Sequence, residues 1–174
     1  MTKEITPYSS KDNKKIQVTQ MFDKIANRYD LLNHSLSLGM DFIWRKIAVK
    51  KLTNNPKKII DIATGTADFA ISATKYTQAN VIGIDISKEM LIVGDIKIKK
   101  KNLVERITLL KGDCENLPFE NDSFDAMTAG FGVRNFENLE KGLKEMYRVL
   151  QKNSTVVILE PSIPSNLILK ILFK

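Results

Sequence analysis

The chain has 174 residues, of which 43% are hydrophobic and 27% are charged, and its formal net charge is +7. These values are typical of one globular domain with a sizeable core, and no apolar run approaches the ~18 residues that a membrane-spanning helix needs. One cysteine, Cys114, and one histidine, His34, exclude an internal disulfide and argue against a zinc site. We therefore expect a soluble domain without a metal, in the reducing cytoplasm.

The N-terminal third of the chain predicts a short tail followed by helices. Residues 1–15 are polar and lysine-rich, which indicates a flexible tail rather than a secretory signal. Apolar side chains recur every three or four positions over 16–32 and over 41–52, as in amphipathic helices. Segment 33–40 is apolar for a loop, so we expect it to pack on another element or to border a pocket. Residues 16–55 are thus predicted to form a helical cover.

From Pro56 onward, short apolar runs alternate with helix-sized segments. This alternation predicts an α/β fold, in which a mainly parallel sheet has helices on both faces. We expect a Rossmann-like core over 56–162, and residues 163–174 to begin an incomplete C-terminal segment after the fifth strand. The predicted strands cover 58–63, 80–86, 107–112, 124–130 and 155–160.

The first two predicted strands carry the most informative pattern in the chain. The first strand runs into a turn that contains Gly65, and a helix then leads to a second strand that ends at Asp85. A glycine turn allows close approach of a ligand, and an acid at the next strand end accepts hydrogen bonds from both ribose hydroxyls. An adenosine-containing cofactor is the leading hypothesis. The alternative is an ordinary α/β domain whose acid only caps nearby backbone.

The residues that follow Gly65 distinguish between adenosine cofactors. A dinucleotide site needs G-x-G-x-x-G, because its diphosphate leaves no room for side chains, whereas this turn reads GTADFA and keeps only the first glycine. Asp68 would also place negative charge at the helix N-terminus, where a diphosphate binds. S-adenosylmethionine has no phosphate and carries a cationic sulfonium, so acids such as Asp61 and Asp68 are compatible with its binding. The pattern therefore favours S-adenosylmethionine.

Several short blocks of sequence add to this pattern. They are MFDKIA (21–26), RYDLLN (28–33), LSLG (36–39), DIATGTAD (61–68), NLPF (116–119) and GFGVRN (130–135). With them the chain resembles the ubiquinone/menaquinone biosynthesis C-methyltransferases, class I enzymes that depend on S-adenosylmethionine. The similarity covers nearly all of the chain from about residue 16. The N-terminal block and GFGVRN are specific to the family, whereas many methyltransferases share the glycine turn.

The resemblance implies methylation of a ring carbon on a prenylated quinol, which is demethylmenaquinol in menaquinone makers and a ubiquinone precursor in others. By position, the family's cofactor contacts fall on Thr66, Asp85, Asp113 and Cys114. Members of the family continue for several tens of residues beyond the position of Lys174. We therefore expect the chain to lack the family's C-terminal part.

Roles follow for residues at the predicted strand ends. Asp85 would bind the ribose and Asp113 the adenine amino group, while the Cys114 backbone amide would donate to the adenine ring. The turn after the first strand would lie beside the methionine moiety and would contribute Asp61, Gly65 and Thr66.

Catalysis needs positioning and exclusion of water more than acid chemistry, because the sulfonium leaves as a neutral group. A quinol carbon attacks readily only when the neighbouring hydroxyl loses its proton, so the site must stabilise a phenolate. Arg134 and Asn135, just after the fourth predicted strand, are the candidate catalytic residues; an ion pair that fixes the loop is the alternative for Arg134. Tyr29 and His34 are candidates to line the quinol pocket, and a packed histidine is the alternative for His34.

The net positive charge is compatible with more than one kind of binding partner. A solvated helix end explains part of it, since cations favour a helix C-terminus; this run comprises Lys97, Lys99, Lys100 and Lys101. A prenylated quinol resides in the bilayer, so the charge and residues 16–52 also predict transient contact with an anionic membrane surface. Nucleic acid is disfavoured because only 7% of residues are aromatic. A nucleic-acid or small-molecule methyltransferase and an inactive, cofactor-binding assembly partner remain the alternatives.

Overall fold

The computed structural model of the protein describes residues 6–8, 11–52 and 55–162. The predicted C-terminal segment 163–174 lies outside the described residues, as do 1–5 and 9–10 of the predicted tail. The strands are β1 (Lys58–Ile62), β2 (Asn80–Asp85), β3 (Ile107–Lys111), β4 (Phe124–Gly130) and β5 (Leu150–Leu159). They form one sheet of order β3-β2-β1-β4-β5 in which every neighbouring pair is parallel. The predicted α/β class with a parallel sheet is confirmed.

The strand order creates a ligand-binding position. From β1 the chain moves to β2 and β3 on one side of the sheet, whereas β4 and β5 lie on the other side. In open parallel sheets, ligands bind outside the carboxyl ends of the strands where the order reverses. Here that point lies between the turn after β1 and the loop after β4.

Two helices precede the sheet, α1 (Lys14–Leu36) and α2 (Met40–Val49). Asn13 caps α1 through its side chain, which accepts a hydrogen bond from the Ile16 amide. The helix therefore begins inside the segment predicted as a tail. It also runs through half of the predicted loop 33–40, and only residues 37–39 form the turn, with Gly39 at φ 75°. Apolar residues continue at four-residue spacing to the end of α1, which explains the longer helix.

Helices cover both faces of the sheet. They are α3 (Asp68–Tyr76), α4 (Lys88–Lys100) and α5 (Leu139–Arg148). One apolar core joins the sheet to α2, α3 and α4 through residues such as Ile59, Phe69 and Ile98, which are at most 4% exposed. A second core includes Ile60 and Met146 of α5 on the opposite face. No helix within the described residues is long and apolar enough to cross a membrane.

The last strand starts before the predicted bounds 155–160. β5 begins directly after α5, and its register shifts, because Leu150 pairs with Phe124 while Thr155 pairs with Ala126. Asn153 lies between them at φ 63°, the left-handed conformation that an asparagine side chain tolerates. Within the described residues, β5 is the edge of the sheet next to β4.

Candidate active site

An open cleft lies at the carboxyl ends of β1, β2 and β4. Its empty space totals about 640 Å³, including the solvent-filled mouth. Helix α1 forms one wall through Lys15, Val18, Phe22 and Tyr29. The sheet side brings together four of the six predicted cofactor contacts, which are Gly65, Asp85, Asp113 and Cys114.

Asp85 ends β2 and faces the cleft, although its side chain is almost entirely buried. One carboxylate oxygen accepts a hydrogen bond from the Gly65 amide and the other from the Ser87 amide, each at 2.8 Å. Burial raises the pKa of Asp85 to about 6, and these backbone donors oppose the rise. A carboxylate oxygen accepts more than one hydrogen bond, so the backbone capping does not prevent ribose binding.

Glycine is required where the loops after β1 and β4 approach each other. A Cβ at Gly132 would lie 2.4 Å from the Cβ of Ala63, a distance that real side chains do not adopt. Gly65 has φ 55°, and a Cβ there would meet the Met90 side chain at 3.3 Å. The backbone of these two loops therefore forms the floor of the cleft, where a ligand can approach it closely because no Cβ intervenes.

Asp113 and Cys114 follow β3 and mark the end of the cleft predicted to hold adenine. Asp113 accepts a hydrogen bond from the Glu115 amide at 2.9 Å, and its side chain is 33% exposed. The Cys114 side chain is buried, and burial raises the pKa of its thiol to about 12. The thiol is thus neutral at physiological pH and unsuited to act as a nucleophile.

Lys15 is a cleft residue that sequence reasoning missed. Its ammonium lies 2.8 Å from Asp113, 3.3 Å from Glu115 and 3.9 Å from Glu137. Burial opposes the charge of Lys15, but the hydrogen bonds and charges of Asp113 and Glu115 outweigh it and raise its pKa. The ion pairs join the first turn of α1 to the loops that follow β3 and β4. The sequence predicts residue 15 to lie in a flexible tail, and no local pattern reveals partners so distant in sequence.

The other two predicted cofactor contacts, Asp61 and Thr66, line a smaller cavity next to the cleft. Asp61 is fully buried and accepts hydrogen bonds from the hydroxyls of Thr64 and Thr128, both at 2.6 Å. Burial raises the pKa of Asp61 to about 6, despite these hydroxyl donors. Thr66 donates to Asp30 of α1 at 2.5 Å, so it connects the turn to the helical cover.

Lys97 corrects the interpretation of the lysine run as a solvated helix end. Its ammonium bonds Asp30 at 2.7 Å and also contacts Asp68, and its side chain is only 20% exposed. Asp30, His34 and Asp68 bring three potential metal ligands within 4.8 Å of one another. The Lys97 charge already binds both carboxylates, which disfavours a metal cation there.

The two predicted catalytic residues lie in different environments. Asn135 lines the cleft, and its side-chain amide donates to the Phe131 carbonyl at 3.4 Å. Arg134 is 51% exposed, is absent from the described lining of both cavities, and pairs with Glu160 at 3.1 Å. The structure therefore shows the ion pair that was the alternative for Arg134.

The two predicted quinol-pocket residues also differ. Tyr29 lines both cavities, and burial raises the pKa of its hydroxyl. The His34 ring lines neither cavity; its Nδ1 lies 2.8 Å from Asp41, and it stacks on Phe42 with the ring centroids 4.3 Å apart. His34 thus links α1 to α2, as expected for a packed histidine.

The parallel sheet, the glycine turn and the acid at the end of β2 define a class I methyltransferase fold. A crystal structure of a SAM-dependent methyltransferase from Aquifex aeolicus has a TM-score of 0.62 with this chain. The two are 20% identical, and the match covers 70% of this chain and 66% of that one. At this identity, the similarity shows the fold.

The ubiE/COQ5 methyltransferase family matches residues 9–174, and this chain belongs to that family. The demethylmenaquinone methyltransferase of Bacteroides fragilis is 49% identical over 172 residues, which are 98% of this chain and 70% of the relative. The ubiquinone/menaquinone biosynthesis C-methyltransferase UbiE of Citrifermentans bemidjiense is 46% identical over 160 residues, 90% of this chain and 68% of the relative. The predicted resemblance is confirmed, and the family implies S-adenosylmethionine as methyl donor.

Proposed function

We propose that the protein transfers a methyl group from S-adenosylmethionine to a ring carbon of a prenylated quinol, most directly demethylmenaquinol. The observation that carries this proposal is the cleft in which Gly65, Asp85 and Asp113 meet at the carboxyl edge of the sheet. The substrate class is supported by relatives whose names specify demethylmenaquinone.

The residues present fit this donor better than a dinucleotide. Asp85 and Asp113 offer acceptors for the ribose hydroxyls and the adenine amino group, and Gly132 keeps the loop free of a Cβ. Asp61 and Asp68 line the adjoining cavity together with one cation, Arg45, and acids at the start of a helix suit a sulfonium better than a diphosphate. When bound, S-adenosylmethionine supplies an electrophilic methyl group on a cationic sulfur.

The chain's own residues would position the quinol and keep water away. Tyr29, Phe131 and Phe136 contribute aromatic surface to the cleft, which favours an apolar ring. Asn135 lines the cleft and is the candidate that orients a quinol hydroxyl. Arg134 is the candidate that stabilises the phenolate, and to do so it must exchange Glu160 for the substrate.

The prenyl tail places the substrate in a bilayer, and the turn between α1 and α2 suits contact with its surface. Leu36 and Leu38 are 84% and 90% exposed, and Leu31 and Phe42 nearby are more than half exposed. Such an apolar tip inserts among lipid headgroups, and the net charge of +7 attracts anionic lipids. We propose this turn as the membrane-facing part of the protein.

Flotation with vesicles that contain anionic phospholipid tests the membrane contact. The double variant Leu36→Ser, Leu38→Ser is expected to stay with the soluble fraction, whereas wild type floats. Leu139→Ser is the matched control, because Leu139 is 50% exposed on the remote helix α5. A wild type that never floats, whatever the lipid charge, would contradict the proposal.

Two measurements test the enzymatic function. Calorimetry with S-adenosylmethionine asks whether the donor binds, and turnover on a short-chain demethylmenaquinol asks whether its methyl group is transferred. Binding without turnover, also on a ubiquinone precursor, would favour the role of an assembly partner. Methyl incorporation into RNA or DNA would favour a nucleic-acid methyltransferase instead.

A further inference from the structure

Glu115 is a buried acid of the cleft to which the proposed chemistry gives no role. It is 4% exposed, and it directly follows Asp113 and Cys114. We propose that Glu115 is a positioning residue, which holds the loop after β4, residues 131–138, so that Asn135 keeps its place in the cleft. The inference rests on the proposed function, because Asn135 is the candidate that orients the quinol.

One oxygen of the Glu115 carboxylate accepts two backbone hydrogen bonds from this loop. The donors are the Glu137 amide at 2.8 Å and the Asn138 amide at 3.1 Å. Hydrogen bonds to a charged acceptor are about twice as strong as neutral ones. Asn138 is the N-cap of α5, so Glu115 fixes the point at which the loop joins that helix.

The other oxygen of Glu115 faces the start of helix α1. It lies 3.3 Å from the Lys15 ammonium, which also pairs with Asp113 at 2.8 Å. The neighbouring Lys14 donates to the Phe136 carbonyl of the loop at 2.6 Å. Glu115 therefore joins three segments, which are the first turn of α1, its own loop after β3 and the loop after β4. The acid is placed to hold these segments together rather than to react.

The loop after β4 is also anchored where it begins. The Phe131 amide donates to a carbonyl of β5 at 2.8 Å, and Gly132 packs so closely on Ala63 that a Cβ would collide. Only one turn of 3-10 helix, Val133–Asn135, and the residue after it lie between the two anchors. This turn carries both candidate catalytic residues. Release of the Glu115 anchor would therefore let them shift relative to a bound donor.

Glu145 of α5 offers a matched control for Glu115. Its carboxylate also accepts a hydrogen bond from a backbone amide, that of Leu117 at 2.8 Å, and it also pairs with a cation, Arg148. Its side chain is 18% exposed and is not among the described residues that line the cleft or the smaller cavity. Loss of this acid should destabilise the protein without moving the loop after β4.

Two substitutions separate the reach of Glu115 from its charge. Glu115→Gln keeps the length and an acceptor oxygen but removes the charge, whereas Glu115→Asp keeps the charge and withdraws the carboxylate by one methylene. Positioning requires reach, so Glu115→Asp is expected to lower kcat on a short-chain demethylmenaquinol about 10- to 100-fold, the effect of a small misplacement. Glu115→Gln is expected to retain most of the wild-type kcat. The affinity for S-adenosylmethionine, measured by calorimetry, should stay close to wild type in both.

Hydrogen exchange measures the loop itself, whether or not methyl transfer is observed. The peptide that covers residues 131–138 is expected to exchange faster in Glu115→Asp than in wild type, and close to the wild-type rate in Glu115→Gln. Glu145→Ala is expected to lower the urea midpoint of unfolding. Measured where it remains folded, it should keep the wild-type kcat and the wild-type exchange of this peptide.

The results distinguish the positioning role from the proposed function. Unchanged exchange of the loop in Glu115→Asp overturns the positioning role, and so does a kcat that follows charge, with Glu115→Gln slower than Glu115→Asp. Equal losses of kcat in Glu115→Asp and Glu145→Ala overturn it as well, because both acids would then act through stability alone. A wild type that binds S-adenosylmethionine but transfers no methyl group contradicts the proposed function, while the exchange rates still decide whether Glu115 holds the loop.

Discussion

The two sides of the cleft are built by different interactions. On the sheet side, the contact between Gly65 and Asp85 forms within one strand-turn-helix-strand unit. On the helical side, Lys15 reaches a carboxylate 98 positions away, and Lys97 bonds an acid 67 positions away. The sheet side is thus set by local sequence and the helical side by long-range ion pairs. Substitutions on the sheet side should alter ligand affinity, and those on the helical side should lower the free energy of unfolding.

Arg134 lies outside both sides of the cleft, so it gives the sharpest test of the catalytic proposal. Arg134→Ala is expected to lower turnover about 10²- to 10³-fold, the effect of removing a donor to a developing oxyanion. The affinity for S-adenosylmethionine, measured by calorimetry, should not change, because Arg134 is not among the residues that line the cleft or the smaller cavity.

Glu160→Gln is the matched variant for Arg134. It frees the guanidinium from its partner at 3.1 Å, so turnover is expected to persist or to rise. An equal, modest loss in both variants would instead show that the pair only fixes the loop after β4.

On the sheet side, Asp85→Asn is expected to weaken S-adenosylmethionine binding about 100-fold. The amide keeps the size of the side chain but loses the charge-assisted hydrogen bonds to the ribose, each worth about 1.5–3 kcal/mol. Asp95→Asn on α4 is the control, because Asp95 is 51% exposed in a surface pair. Unchanged affinity in Asp85→Asn, measured by calorimetry, would rule out the ribose role.

The same contrast explains what the sequence could predict. Strand ends such as Asp85 and Asp113 follow from apolar runs and a glycine turn, because the carboxyl ends of parallel strands meet at one edge. The partners of Lys15 and Lys97 could not be predicted, because the sequence does not show which of the many acids a given lysine will pair with.

Asp61 predicts a pH dependence for the sheet side. Burial raises its pKa from 3.8 to about 6, so between these values the folded state holds a proton that the unfolded state has lost. Stability contributed by this group is therefore present below pH 3.8, falls as the pH rises to about 6, and is level above that. When urea unfolding is measured from pH 4 to 7, the free energy of unfolding of Asp61→Asn is expected to decline by roughly 2–3 kcal/mol less than that of wild type. If the two free energies fell in parallel with pH, the raised pKa of Asp61 would be contradicted.

On the helical side, Lys97→Met is expected to lower the free energy of unfolding by about 1–2 kcal/mol, because two partly buried carboxylates lose their shared cation. Lys99→Met is a matched control on the same helix: Lys99 is 64% exposed and also pairs with an aspartate. Its loss should stay below about 0.5 kcal/mol, as for other surface pairs. Urea denaturation of both variants distinguishes two explanations of how helix α1 is held on α4. Equal losses would mean that apolar packing alone holds α1 on α4, whereas a larger loss for Lys97 would show that its ion pair with Asp30 of α1 helps to hold the helix there.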